Sequence, residues 1–575
     1  MCYGGRILYK DEMEKERFFK NLIKVSVGLI VAKCFYLQII RYPYYSALSK
    51  KNCIRTIELD IPRGKIFDRN GRILAEDKPC FNLVFIPYDL ENPVKEAKLI
   101  CKLISVDKKR VLKIMTRKYL NPYDRIIIKK RLSKKEVSVI EENTLNLPGV
   151  FVQPGIEREY PLKEKASHLI GYTGEISKEE LERLKEKGLK IGDYIGKYGI
   201  EKYYDDYLRG IPGGVRVEVD ALGHQRKILG EKKMVPGNNL ILTIDGRLQE
   251  IAYRALGERR GCVVAMNPKN GEILVLVSKP SFDPNKVEKY LKAKGNPLLN
   301  RVIQGQYPPG SIFKKITEIA ALEEGVISEN DRIECTGEME VGDRVFHCWK
   351  EEGHGWIDIN LALPFSCNIF FGTIGMRLGS ATLLEYAKKF GFGEPTGIDL
   401  PGEKPGYIPP PQISGGPLNL AIGQGAILAT PIQLLSLIST VANGGNIWKP
   451  YVVKEIVSPE GKVIKSFSPV LRKTVYISPE TLEILKRGLR NVVVFGTGVN
   501  AQVENLKVAG KTGTAQRASS ELELPTHGAF ACYAPADDPE ISLVVFLDTG
   551  SSAVAARIAG NILREYFSDN KILGK

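Results

Sequence analysis

The pattern of apolar and polar positions changes its period several times along the chain. The first 24 residues are polar and basic, with Arg6, Lys10, Lys15, Arg17, Lys20 and Lys24. Residues 25–41 are then mostly apolar, interrupted by Lys33 and followed by Tyr42, Tyr44 and Tyr45. That run falls short of the ~20 residues that cross a bilayer, and residues 18–22 lengthen it. A basic flank on one side and interfacial tyrosines on the other predict an uncleaved single-pass anchor with its tail in the cytoplasm; a buried soluble helix is the competing reading. From Ile57, short runs of alternating polarity around Asn70-Gly71 predict paired strands, and residues 92–146 read as charged helices. The turn cluster Pro236-Gly237-Asn238-Asn239 then gives way to a strand over residues 240–245 and a helix from Leu248. Residues 262–277 make two β-runs about an Asn- and Gly-rich turn, expected as the central hairpin of a sheet, and residues 541–547 and 553–567 read as a last strand and helix. The predicted organisation is a tail (1–24), an anchor (25–41), a β-rich pedestal (42–236) and a second domain (237–575).

One stretch of the second domain carries chemistry. Pro308 and Pro309 cannot lie inside a helix, while Ile312, Phe313, Ile316, Ile319 and Leu322 recur at helical spacing, so a helix begins near Ser311. Residues three apart share a face, which stands Lys314 over Ser311, and a desolvated lysine can take a hydroxyl's proton. Ser-x-x-Lys also arises by chance. Two later motifs add weight: Ser366-Cys367-Asn368, and Lys511-Thr512-Gly513-Thr514 after a strand-like run over residues 506–509. A second Ser-x-Asn, Ser328-Glu329-Asn330, lies too close to Ser311 and at the end of a helix, and is read as a decoy.

Composition narrows the alternatives. A chain of 575 residues holds more than one domain and is neither disordered nor fibrous. Its net charge of +16 is spread among acidic residues, without an aromatic-interleaved basic patch, so anionic lipid or wall polymer is expected as the partner and nucleic acid is not. The ten cysteines form no paired framework.

The order Ser-x-x-Lys, Ser-x-Asn, Lys-Thr-Gly resembles the signature of the penicillin-binding proteins and serine β-lactamases. Arg63-Gly64, Asp68-Arg69-Asn70-Gly71 and Leu74-Ala75 resemble the opening of the non-catalytic module of class B penicillin-binding proteins. Arg158, Tyr160, Pro161 and His168, and then residues 199–204, continue it. Phe346-His347-Cys348-Trp349 and Gly353-His354-Gly355 are most similar to the elongation branch of that class. The resemblance implies an α+β fold: one transmembrane helix, a pedestal, and a transpeptidase domain whose antiparallel sheet is flanked by helices. It implies a D,D-transpeptidase on the outer side of the bacterial membrane that cross-links peptidoglycan stem peptides, is inhibited by β-lactams and needs no cofactor for its chemistry. A polymerase of the shape, elongation, division and sporulation (SEDS) family of glycosyltransferases is the implied membrane partner.

Carried onto this chain, Ser311 is the nucleophile, Lys314 its base, Ser366 a proton relay and Asn368 the group holding Lys314 and the substrate amide. Lys511, Thr512, Gly513 and Thr514 form the strand that binds substrate, and the N–H groups of Ser311 and Thr514 make the oxyanion hole. Gly423-Gln424-Gly425 is expected to support the site, His527 to shape its rim, and His168 and His224 to be structural. A β-lactamase or carboxypeptidase, and an antibiotic sensor or scaffold, share the three motifs and remain the alternatives.

Cys335, Cys348, His354 and Cys367 fall in one short window with the ligand types of tetrahedral zinc. Their spacing lacks a Cys-x-x-Cys pair, and free thiols or a disulfide are the alternatives. The resemblance supports a structural zinc, since some members of the elongation branch hold the metal through a histidine and a cysteine matching His354 and Cys367. The other two ligands there are aspartates, so Cys335 and Cys348 depart from the pattern, and His347 rivals Cys348.

Overall fold

The computed structural model describes residues 5–46, 54–59, 61–119, 122, 125–190, 192–211, 213–219, 225–515 and 526–573. His224 lies outside them. Helix α1 (Gly5–Phe35) runs on into a π-helical turn, Tyr36–Ile40. Across the two, Arg17–Ile40 spans 24 residues, with a mean hydropathy of 1.8 in its most apolar stretch; it is long and apolar enough to cross a membrane, and none of that stretch is buried. The apolar rod therefore starts nearer Arg17 than Val25, because the helix is continuous and Phe18, Phe19, Leu22 and Ile23 belong to it. A helix with this surface fits a single-pass anchor and does not fit the buried soluble alternative.

Contacts divide the chain into two compact units. The first joins Met1–Ile61, Phe81–Gly155 and Ile211–Val235. It contains a three-stranded antiparallel sheet ordered Ile54–Leu59, Gly213–Val219, Gln225–Lys232. Its helices Pro93–Leu103, Lys108–Met115 and Lys134–Glu142 start where the side chains of Asn92, Asp107 and Ser133 accept the first free N–H groups. Leu83, Phe85, Ile100, Val111, Ile128 and Ile140 form its core.

The second unit joins Pro62–Cys80, Ile156–Gly210 and Pro236–Lys575. A boundary does fall between Val235 and Pro236, but two segments ahead of it, Pro62–Cys80 and Ile156–Gly210, pack with the second unit. Asn239–Leu242 pairs in parallel with Ile66–Phe67 and antiparallel with Val453–Val457, which draws the earlier segments into the larger unit. A buried charge network reinforces them. Glu201 accepts from Arg63 Nε at 2.6 Å and from Arg158 Nε at 2.8 Å, while Arg158 also reaches Asp77 at 3.1 Å and Arg63 reaches Asp205 at 2.8 Å. Burial opposes the Glu201 carboxylate, but the two guanidiniums outweigh it and hold its pKa below the usual value.

In chain order the elements around the site are α2 (Gly246–Leu256), β1 (Gly261–Met266), β2 (Ile273–Lys279), α3 (Lys314–Glu323), α4 (Asn368–Lys389), α5 (Pro431–Ala442), α6 (Pro479–Val494), β3 (Ala509–Ala515), β4 (His527–Ala534), β5 (Ile541–Leu547) and α7 (Ser552–Leu573). The five strands form one antiparallel sheet ordered β2-β1-β5-β4-β3. Side chains alternate across it. Val263, Ala265 and Val545 pack with Leu248 and Ala252 of α2 and Ala555 and Ile562 of α7. Cys262, Val264 and Phe546 face the core that holds Ile316 and Ile319 of α3 and Leu435 and Ile438 of α5. The β1–β2 hairpin forms as predicted but ends the sheet instead of centring it, because β5 inserts on the far side of β1 and brings β4 and β3 with it. The turn bearing Ser311 packs on β3, at the opposite edge.

Glu201→Ala leaves two buried guanidiniums without their shared partner and is expected to cost about 3–5 kcal/mol of the second unit's stability. Urea unfolding of wild type and variant measures it, and a loss below about 1 kcal/mol contradicts the reading.

Candidate active site

The first motif begins with a tight turn. Gly310–Ile312 is a 3-10 turn that passes into α3 at Lys314, so Ser311 sits one short turn ahead of the α-helix. Gly310 has φ +56° and donates to Gly423 O at 2.9 Å. A Cβ on Gly310 would lie 2.7 Å from Thr514 O, and one on Gly423 2.2 Å from Gly310 O, so three motif loops meet where only glycine fits. Gln424 Nε2 donates to Thr514 O at 3.4 Å.

The second motif is held by its backbone. Ser366 N donates to Leu363 O at 3.1 Å and Cys367 N to Ala362 O at 3.0 Å, and Ser366 takes a left-handed φ of +54°, a conformation that costs a non-glycine residue of order 1 kcal/mol. Cys367 caps α4, its sulfur accepting from Phe370 N at 3.4 Å, and Asn368 opens the helix.

Lys314 and Lys511 converge on this loop, both fully buried. Lys314 Nζ donates to Ser366 O at 2.8 Å and to Asn368 Oδ1 at 2.9 Å, and lies 3.3 Å from Ser366 Oγ. Lys511 Nζ donates to the same Oγ at 2.8 Å and to Thr512 O at 3.3 Å. Asn368 Nδ2 donates to the backbone oxygen of His347 at 3.4 Å. Among the described residues no hydrogen bond joins Lys314 to Ser311, a separation common before substrate arrives. Burial pulls the Lys314 ammonium down to about 7. It also pulls Lys511 well below its ordinary value, helped by the charges of Lys314 and Lys315. An amine that titrates near neutrality can accept a proton and return it.

The third motif differs slightly from expectation. The strand starts at Ala509, not over residues 506–509, because Leu506 turns back onto Val503. Lys511, Thr512, Gly513 and Thr514 lie within β3. A Cβ on Gly513 would stand 3.0 Å from Ile312, so its bareness lets the strand approach the Ser311 turn. β3 ends the sheet, and no strand covers its outer edge among the described residues, which leaves backbone groups able to pair with an extended peptide. Thr512 Oγ1 lies 2.6 Å from Thr497 Oγ1, a neighbour that no motif announced.

Other expected residues fall as follows. Ser328-Glu329-Asn330 closes a turn in which Ser328 N donates to Asp331 at 2.7 Å, with no hydrogen bond to Ser311 or Lys314 among the described residues. His168 is buried with Nε2 2.8 Å from Pro297 O, and burial pushes its pKa down to about 3, so it stays neutral. His527 lies in β4, its Nδ1 2.7 Å from Asp548 O.

The Cys/His window does converge. The ligand atoms of Cys335, Cys348, His354 and Cys367 all lie within 4.8 Å of one another. His354 Nδ1 is 3.5 Å from Cys335 Sγ and 3.6 Å from Cys348 Sγ. Those are close to the roughly 3.5 Å edges of a tetrahedron with zinc–ligand lengths of about 2.0–2.3 Å. His354 Nε2 is buried with no hydrogen-bond partner among the described residues. A hydrogen bond from Cys367 holds the Cys348 thiol below its ordinary value. His347 does not join them: it is exposed and sits 3.9 Å from Glu338. The donor set and its spacing fit zinc.

A family model described as the penicillin binding protein transpeptidase domain matches residues 261–567, and one described as the penicillin-binding protein dimerisation domain matches residues 59–242. The peptidoglycan D,D-transpeptidase MrdA of Acinetobacter baumannii is 33% identical over 94% of this chain and 86% of its own. The stage V sporulation protein D of Bacillus subtilis is 35% identical over 96% of this chain and 85% of its own. A solved complex between penicillin-binding protein PBP2 and MreC from Helicobacter pylori superposes with a TM-score of 0.77 at 26% identity, covering 90% of this chain and 99% of that one. With both modules matched in order and three motifs gathered in one buried site, the chain belongs to the penicillin-binding protein transpeptidase family.

Proposed function

We propose that this protein is a peptidoglycan D,D-transpeptidase that cross-links stem peptides through an acyl-enzyme on Ser311, in the building of the elongating wall. The observation that carries the reading is the pair of buried amines, Lys314 and Lys511, on the single hydroxyl of Ser366 beside the Ser311 turn. Lys314, as a free amine, takes the Ser311 proton while Oγ forms a bond to the carbonyl of the penultimate D-alanine. The oxyanion is received by the N–H groups of Ser311 and Thr514, a contribution of about 3 kcal/mol per donor. The C–N bond to the terminal D-alanine then breaks, and the proton reaches its nitrogen from Lys314 through Ser366. An acceptor amine attacks the ester, gives up a proton by the same route and frees Ser311. The terminal carboxylate binds against Lys511, whose ammonium form its negative charge favours, and the donor peptide pairs with the outer edge of β3. A β-lactam enters as a mimic of that peptide and stops at the ester.

Labelled penicillin is expected to acylate Ser311 and to leave Ser311→Ala unlabelled. Because the base must be unprotonated, the acylation rate rises with pH through about 7 and then levels. Lys314→Met should slow acylation by roughly 10²–10⁴-fold and lose that limb. Equal labelling of Ser311→Ala sinks the assignment.

Cys335, Cys348, His354 and Cys367 are proposed to hold a structural zinc, supported by the donor types and their spacing. Bound there, the metal would supply rigidity, tying the Cys367 cap and so the Ser366–Asn368 loop to the strand that ends at Cys335 and to Cys348, just past the strand Arg344–His347. Metal analysis should find about one zinc per chain in wild type and none in Cys367→Ser, with a lower melting temperature in the variant. Protein purified without chelators that carries no zinc and melts unchanged on zinc addition overturns it.

Residues 42–236 are read as a pedestal and 237–575 as the catalytic domain, held outside the bacterial membrane by the Arg17–Ile40 helix with its basic end in the cytoplasm. A module with its own core and none of the three motifs suits a binding role, and the proposed partner is a membrane-embedded SEDS-family glycosyltransferase that supplies the glycan strand. Affinity capture from membranes in mild detergent should recover such a polymerase, and lose it when the anchor is exchanged for an unrelated one. Unchanged recovery with the exchanged anchor argues against the anchor's part in it.

A further inference from the structure

The turn that follows α6 belongs to none of the three motifs, yet it touches two of them. Phe495 N and Gly496 N both donate to Asn491 O, at 3.1 and 3.0 Å, and Gly498 N donates to Val492 O at 2.9 Å, so the chain doubles back through Gly496-Thr497-Gly498. A Cβ on Gly496 would stand 2.5 Å from Pro364 O, and one on Gly498 2.9 Å from Val492 Cγ1, so the turn closes only with bare α-carbons on both sides of Thr497. Thr497 N donates at 3.1 Å to the oxygen of Pro364, two residues ahead of Ser366. Thr497 Oγ1 lies 2.6 Å from Thr512 Oγ1 in the Lys-Thr-Gly strand. One residue thus ties the loop of the second motif to the strand of the third.

Which of the two hydroxyls donates follows from counting hydrogens. Lys511 Nζ stands 3.4 Å from Thr512 Oγ1, and an ammonium can only donate. Among the described residues neither hydroxyl has an acceptor other than its partner. If Thr512 gives its hydrogen to Thr497, the Thr497 hydrogen has nowhere to go, and a carboxylate set against Lys511 meets a lone pair of Thr512. If Thr497 gives its hydrogen to Thr512, the lone pairs of Thr512 face Thr497 and Lys511, and the Thr512 hydrogen is left for the carboxylate. The second arrangement makes one more hydrogen bond, and makes it to a charged acceptor.

We propose that Thr497 is a positioning residue: by donating to Thr512 Oγ1 it turns the Thr512 hydrogen toward the terminal carboxylate of the donor peptide. The role rests on the transpeptidase reading, which sets that carboxylate against Lys511.

The test compares acylation of the full-length protein, in detergent, by benzylpenicillin and by its methyl ester, which lacks the negative charge. Thr497→Val keeps the shape and removes the hydroxyl; it should slow acylation by penicillin roughly tenfold, the worth of one hydrogen bond to a charged group, and by the ester less than about twofold. A general loosening of the fold would slow both alike. Thr497→Ser keeps the hydroxyl and should stay within about twofold of wild type with either compound. In a Thr512→Val protein, which should itself show the split between penicillin and ester, adding Thr497→Val should cost less than about twofold more, because the hydrogen it orients is already gone. Thr497→Ala, which leaves the backbone bond to Pro364 in place, takes the part of Thr497→Val if the valine protein does not fold, and the same split is expected of it. Equal slowing of penicillin and ester, an unchanged rate with penicillin, a serine variant as slow as the valine one, or a Thr512→Val protein without the split overturns the role of Thr497 alone. Failure of penicillin to label wild-type Ser311 overturns the transpeptidase reading as well.

Discussion

Two buried amines on one hydroxyl form the constraint on which the site depends. Lys314 and Lys511 both reach Ser366 Oγ, at 3.3 and 2.8 Å, and neither touches solvent. Two ammonium ions cannot share so small a dry space without strong repulsion, so the pair is stable only when one of them is neutral. The surrounding structure keeps that arrangement from relaxing. Ser366 is held at a strained φ by backbone bonds to the residues before it, Cys367 fixes the start of α4, and Asn368 accepts a hydrogen bond from Lys314 while donating one to the backbone oxygen of His347. The strain of the loop and the burial of the lysines belong together, since an unstrained loop would carry Ser366 away from both.

The three motifs were legible in the chain because each is short and its chemistry lies in side chains of fixed type. Their order was enough to recognise the family. What escaped was set by distant pairing. Leu506 looks like the start of a strand but folds back onto Val503, and the β1–β2 hairpin looks central until β5, from near the far end of the chain, inserts beside β1. The break at residue 236 is a genuine turn cluster, yet Ile66–Phe67 pairs with Asn239–Leu242 across it. Lys315 and Glu318 were the hardest to read, because a lysine and a glutamate three apart ordinarily mark a solvent-facing side of a helix, and here both are enclosed. Between Cys348 and His347 the choice turned on which side of one residue the chain bends. Only the fold puts the thiol inside and the imidazole out.

The two compact units use different means of cohesion. The first relies on an ordinary apolar core under capped helices. The second joins segments far apart in the chain through charges taken out of water, with Arg63 and Arg158 closing on Glu201. Such a network is rigid because its members tolerate little displacement before an ion is left alone. That rigidity suits a unit whose three motifs come from separate stretches of sequence.

The bare α-carbon of Gly513 has a further consequence. It brings the edge strand β3 into van der Waals contact with Ile312, the residue next to Ser311, leaving no slack between them. The strand proposed to bind the peptide and the turn that carries Ser311 thus meet without a gap. On the proposed roles, a shift of the strand that eased an inhibitor aside would also be delivered to Ser311 and would misalign its attack on the natural peptide.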